Sequence, residues 1–169
     1  MKEKINKQLL FIEALRGIFA LFIVFYHLRH TINIKLINNF FFLKADIFVD
    51  FFFVISGFII FYKYHKKINT FTDLIKFQLK RFIRLYPLHI ITLLFFLLIE
   101  LSKFFFLIKT GIQSDSNSVF ERNNLFSFIH NIFLTQGFLN FNSYNEPSWS
   151  ISIEFYSYLI FGLLLLFFF

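Results

Sequence analysis

Several stretches of this chain place ionisable side chains inside apolar sequence, and their types suit proton transfer and anion binding. Arg16 and His27 stand eleven positions apart. That is almost three helical turns, so the two share one helix face about 16 Å apart along the axis. Glu13 precedes Arg16 by three residues and lies on a neighbouring part of that face. An imidazole exchanges protons near neutral pH, which suits it to take a proton from a hydroxyl. Asp46 and Asp50 are four apart and share a face. A carboxylate beside an imidazole orients the ring and raises its basicity. Arg81 and Arg84 are three apart, and paired guanidiniums offer phosphate oxygens permanent charge and bidentate donors. Glu154 falls inside the apolar run that Trp149, Ser150, Ile151, Ser152 and Ile153 open.

Each group also has a plainer reading. Glu13 and Arg16 can pair, with His27 capping a span at the interface. The two aspartates can be interfacial and solvated. The arginines fit ordinary cytoplasmic bias and contact with anionic lipid. Ser56-Gly57 can permit close helix packing, and Trp149 and Tyr156 fit an aromatic belt. Burial in a bilayer costs an ionisable group at least ~2.5–3.5 kcal/mol, which makes these residues the informative ones. The five histidines show no metal-ligand spacing, so no metal site is expected. There is no Gly-rich phosphate loop, no nucleophile elbow and no cysteine.

The elements that must carry these residues are membrane helices. Hydrophobic residues make up 57% of the chain, charged ones only 16%, and mean hydropathy is +0.66. A soluble core of this size cannot hide so much apolar surface, whereas lipid removes the problem. Phenylalanine is abundant enough to read mostly as lipid-facing filler. The net charge of +7 does not imply a nucleic-acid partner, because the basic residues flank apolar spans and form no soluble module.

The predicted class is all-α, a polytopic helix bundle with about five membrane segments. A first span runs from about Leu9 to Leu28 and a second from near Ala45 to near Tyr62. A third covers about Leu85 to Ile108, with Pro87 expected in its first turn. A shorter apolar segment, Leu125–Leu139, is open to a re-entrant reading, and a last span begins near Trp149. The stretch from Lys63 to Arg84 reads as a basic loop. With the N-terminus it holds most of the Lys and Arg, so both are expected on the cytoplasmic side of the cell membrane. The loops Arg29–Lys44 and Lys109–Asn124 would then face outward. The chain ends within an apolar run, Phe167 to Phe169, as expected of a truncated protein.

Taken together, these stretches resemble the acyltransferase 3 family of multi-span membrane O-acyltransferases. The matching pieces are Glu13-Ala14-Leu15-Arg16-Gly17 with His27, then Phe48-Val49-Asp50 through Ser56-Gly57-Phe58. Arg81-x-x-Arg84 follows with Tyr86-Pro87, and Trp149-Ser150 leads through Glu154 to Phe155-Tyr156. The resemblance runs from about Gln8 to Phe169, one transmembrane domain of which 1–169 would be the N-terminal part. It implies an acyl donor, acetyl-CoA or another acyl-CoA, bound from the cytoplasmic side as a substrate, with no permanent cofactor. The implied acceptor is a hydroxyl of a cell-envelope glycan or lipid-linked saccharide. His27 would be the base, with Asp50 and Glu154 as supporting polar groups of the catalytic set. Arg16, Arg81 and Arg84 would hold the donor or the site, and Glu13, Ser56, Trp149 and Ser150 complete the implied binding residues.

Acyl transfer from a thioester to a hydroxyl needs a base for the hydroxyl proton, and the donor's phosphates need fixed cations. Two other readings stand beside this one. A chain that stops at Phe169 would be an inactive fragment, its polar faces lacking partners. Intramembrane Glu, Arg and His also mark transport pathways, so a transporter is the second.

Overall fold

The computed structural model describes residues 2–28, 44, 47–113, 118–138 and 143–168, and the side chains of all of these except 2–9 and 13. The described residues form α-helices and one short 3-10 turn, in two compact units, Met1–Lys67 and Ile68–Phe169.

The first unit is a helical hairpin. Helix α1 spans Lys2–Leu28 and α2 spans Ile47–Tyr64. Phe19 stacks on Phe48 at 4.9 Å between ring centroids and meets Phe51 at 5.7 Å, while Phe22 meets Phe48 at 5.1 Å. Residue numbers rise on one helix as they fall on the other, so the pair is antiparallel. Such ring pairs add about 0.5–1.5 kcal/mol each beyond the area they bury. Many other apolar side chains, among them Leu10, Phe11, Leu21, Val24, Val54 and Phe58, point outward, while Ile59 and Ile60 are buried. That distribution fits helices whose solvent is hydrocarbon.

The second unit is built on α3, Phe71–Thr110, a helix of 40 residues. At 1.5 Å per residue it is about 60 Å long, twice the thickness of a hydrocarbon core. Its start corrects the sequence reading. The stretch expected as a basic loop up to Arg84 is helical from Phe71. Thr70 caps the helix by accepting from the Asp73 backbone N–H at 3.2 Å, and the Asp73 carboxylate accepts from the Thr70 backbone N–H at 3.2 Å. Pro87, expected in a first turn, therefore lies inside the helix. There it withholds the N–H that the Ile83 carbonyl would otherwise accept. Gly111 ends α3 at φ +67°, its N–H bonded to the Leu107 carbonyl at 2.8 Å.

Helix α4 is short, Leu125–Ile132, and the Asn124 side chain caps it by accepting from the Ser127 N–H at 2.9 Å. Its 8 residues reach only about 12 Å, too little to cross a bilayer. The apolar segment expected to run to Leu139 thus contributes a helix only as far as Ile132. A 3-10 turn at Glu146–Ser148 leads into α5, Trp149–Phe168. Among the described residues four helices, α1, α2, α3 and α5, are long and apolar enough to span a membrane.

Helix α5 runs antiparallel along the N-terminal half of α3. Phe82 meets Phe155, Phe77 meets Tyr158 and Phe161, and Leu74 occupies the space left by Gly162. A Cβ on Gly162 would come within 2.4 Å of Leu74 Cδ1, so glycine sets how closely these helices approach.

Candidate functional site

On the first unit, α1 carries Arg16 and His27 on one face, as their spacing requires. The Arg16 guanidinium lies 5.1 Å from the centroid of the Phe52 ring, and its Nε is buried without a hydrogen-bond partner among the described residues. Cation–π contact with Phe52 thus replaces part of its lost hydration. Glu13 is on α1, but its side chain lies outside the described ones. His27 is in the last turn of α1, half-buried, with the Tyr26 ring edge-on at 5.3 Å.

Asp50 is in the first turn of α2 and exposed. Phe19 touches both Phe48 and Phe51, which puts Asp50 level with position 19. His27 is eight residues farther along α1, about 12 Å along the axis. The hairpin therefore places Asp50 nearer the height of Arg16 than that of His27. Asp46, the aspartate closer in sequence to the His27 end, lies outside the described residues. Ser56 is buried, whereas a Cβ on Gly57 would meet nothing within 4 Å among the described residues. Close packing at Ser56-Gly57 is thus not what the hairpin uses its glycine for.

On the second unit the structure brings two distant stretches together. The Arg81 guanidinium lies 5.4 Å from the Phe77 ring and 5.6 Å from the Tyr158 ring. The Tyr158 hydroxyl donates to Glu154 Oε1, one turn earlier on α5. Arg81, Tyr158 and Glu154 thus form one connected polar group between α3 and α5. Gln78, on the same face of α3, donates from Nε2 to the Phe155 carbonyl at 3.2 Å and fixes the register of the two helices. Arg84, one turn beyond Arg81, is exposed.

The start of α5 is held by a collar of buried polar side chains. The Ser152 hydroxyl donates to the Leu134 carbonyl at 2.5 Å and accepts from the Gly137 N–H at 3.2 Å. Gln136 Nε2 donates to the Ser148 carbonyl at 3.0 Å. Leu134 sits at φ +55°, a left-handed backbone that a leucine adopts only under constraint. Its carbonyl is then turned to Ser152. Trp149 is partly exposed beside this collar, and the Ser150 hydroxyl is spent on the Pro147 carbonyl at 2.9 Å.

Three polar residues were missed by sequence reasoning. Tyr158 is one. Glu100 is another, buried on α3, where its Oε1 accepts from Asn123 Nδ2 at 2.7 Å and pairs with Lys103 Nζ at 3.4 Å. Its neighbour Tyr144 donates to the Asn123 carbonyl at 2.5 Å. Burial, and then the Glu100 charge, pushes the Tyr144 phenol above its ordinary range. The third is His89, fully buried, with Nε2 2.8 Å from the Asn131 carbonyl. A carbonyl only accepts, so Nε2 carries the proton. Glu100 and His89 had a usable signal, since both are ionisable groups within an apolar span.

Among the described residues no group of three His, Cys, Asp or Glu side chains is placed to hold a metal ion. No curated protein and no solved structure matches the chain. The family model of the acyltransferase domain of acyltransferase 3 matches residues 9–169, and with them every stretch that carries the residues described above. This chain belongs to the acyltransferase 3 family of membrane proteins.

Proposed function

We propose that this acyltransferase moves an acyl group, acetyl in the simplest case, from acyl-CoA to a hydroxyl of a cell-envelope glycan or lipid-linked saccharide. The observation that carries the reading is the joining of Arg81 on α3 to Glu154 on α5 through Tyr158. Two of the stretches on which the family resemblance rests meet there in one group with fixed orientation.

The chemistry assigns a role to each residue. The acceptor oxygen attacks the thioester carbonyl, and a C–O bond forms as the C–S bond breaks. The His27 ring takes the hydroxyl proton and returns it to the departing CoA sulfur. The guanidiniums of Arg81 and Arg84 hold the donor's phosphates as bidentate donors, with Trp149 and Ser150 lining the binding region. On this reading Arg16 and Glu13 lead along α1 toward His27, and Asp50 and Ser56 are the supporting polar residues of α2. Glu154 supports the arginines. The concentration of Lys and Arg in the N-terminus and in Lys63–Arg84 supports a cytoplasmic location for both, in the cell membrane.

The test uses membranes containing the full chain and radiolabelled acetyl-CoA. The wild-type chain is expected to bind the donor and transfer label to an added saccharide. His27→Ala is expected to retain binding and lose transfer. Transfer that survives in His27→Ala would remove this residue from the mechanism.

A further inference from the structure

We infer that Tyr158 is a positioning residue that ties the Glu154 carboxylate to the Arg81 guanidinium. The inference deepens the proposed function and rests on it for the role of Arg81 in holding the donor.

Tyr158 is buried on α5, and both its polar and its aromatic parts are used. Its hydroxyl donates to Glu154 Oε1, and its ring is one of the two whose centroids lie 5.4 and 5.6 Å from the Arg81 guanidinium. Phe77 meets that ring edge-on at 6.2 Å. Leu74 fits against Gly162, one turn along α5, and brings α3 close enough for Arg81 to reach. A core position needing only volume would be filled by phenylalanine, the commonest residue of this chain. Tyrosine adds a donor that can orient a carboxylate while its ring stays within cation–π reach of a guanidinium. A guanidinium confined between two rings loses freedom to move, which suits it to hold a phosphate.

Two measurements test this. The first is a double-mutant cycle of thermal stability on the detergent-solubilised full chain, with Tyr158→Phe, Glu154→Met and the pair. A tie predicts that the double variant loses clearly less than the sum of the single losses. Additive losses would overturn the inference. The second is a kinetic split. Tyr158→Phe keeps the ring beside Arg81 but frees the Glu154 carboxylate that supports the arginines, so the donor KM should rise roughly threefold with kcat little changed. Tyr158→Leu removes the ring as well, and the donor KM should then rise roughly tenfold. If both variants lower only the amount of folded protein, with kcat and KM as in wild type, Tyr158 is packing alone and the inference fails. If wild type binds no acetyl-CoA, the proposed function fails, and the stability cycle still decides whether the tie exists.

Discussion

The guanidinium of Arg81 lies 5.6 Å from the centroid of the Tyr158 ring, across the contact between α3 and α5. A lysine there would keep the charge and lose both the broad, weakly hydrated guanidinium and the bidentate fork. Cation–π contact of this kind is worth about 0.5–2 kcal/mol, so Arg81→Lys is expected to weaken acyl-donor binding by roughly tenfold, about 1.4 kcal/mol. Titration of labelled acetyl-CoA against both solubilised proteins measures this. Equal affinities would mean that charge alone matters at this position.

Ser152 is fully buried and serves two backbone groups at once, the Leu134 carbonyl and the Gly137 N–H. Alanine would leave both without this partner in a site closed to solvent. The expected loss of stability for Ser152→Ala is about 1–3 kcal/mol, against less than about 0.5 kcal/mol for the exposed Ser157→Ala. Thermal denaturation of the two variants side by side separates them, and equal stability would show that the collar does not need this hydroxyl.

A Cβ on Gly137 would stand 2.7 Å from the Trp149 carbonyl and 3.0 Å from the Ser152 side chain. The nearer atom is backbone and cannot rotate away. Gly137→Ala must therefore displace the first turn of α5, at an overpacking cost of about 1–3 kcal/mol. Trp149 and Ser150 move with that turn, so acyl transfer per folded molecule should also fall. A variant with normal specific activity would show that the turn tolerates the shift.

Much of this architecture is legible before any coordinates. The apolar runs mark α2 and the start of α5 to within a few residues and the end of α1 at Leu28, while α1 begins seven residues earlier than its run, at Lys2. The cost of charge in lipid points to Arg16, His27 and Glu154. The start of α3 was readable as well. Thr70 and Asp73 form a capping box, and Leu74, Phe77, Gln78 and Arg81 recur at helical spacing. The interspersed Lys76 and Lys80 favour a loop on composition alone, and the cap and the helical periodicity outweigh them. Tyr158 was not legible, because its role depends on the register of α3 against α5, which Gln78 and Gly162 set through contacts 77 residues apart for Gln78–Phe155 and through the Leu74–Gly162 approach. No local pattern encodes that register.

The length of α3 allows orientation to be tested on a single helix. Lys80 and Gln113 are both exposed, one within the helix and the other just past its end. The helix rises about 45 Å from Lys80 to its end at Thr110, more than the ~30 Å of a hydrocarbon core. The chain has no cysteine, so one introduced thiol is the only target for a maleimide. The cluster of basic residues around Lys80 predicts that this position faces the cytoplasm. Lys80→Cys should then react with a membrane-impermeant maleimide in inside-out vesicles and be protected in right-side-out ones, and Gln113→Cys should show the reverse. Labelling of Lys80→Cys from the outer face alone would invert the assignment. The arginines beside it would then be on the wrong side for a cytoplasmic acyl donor, and their proposed role would fall with the orientation.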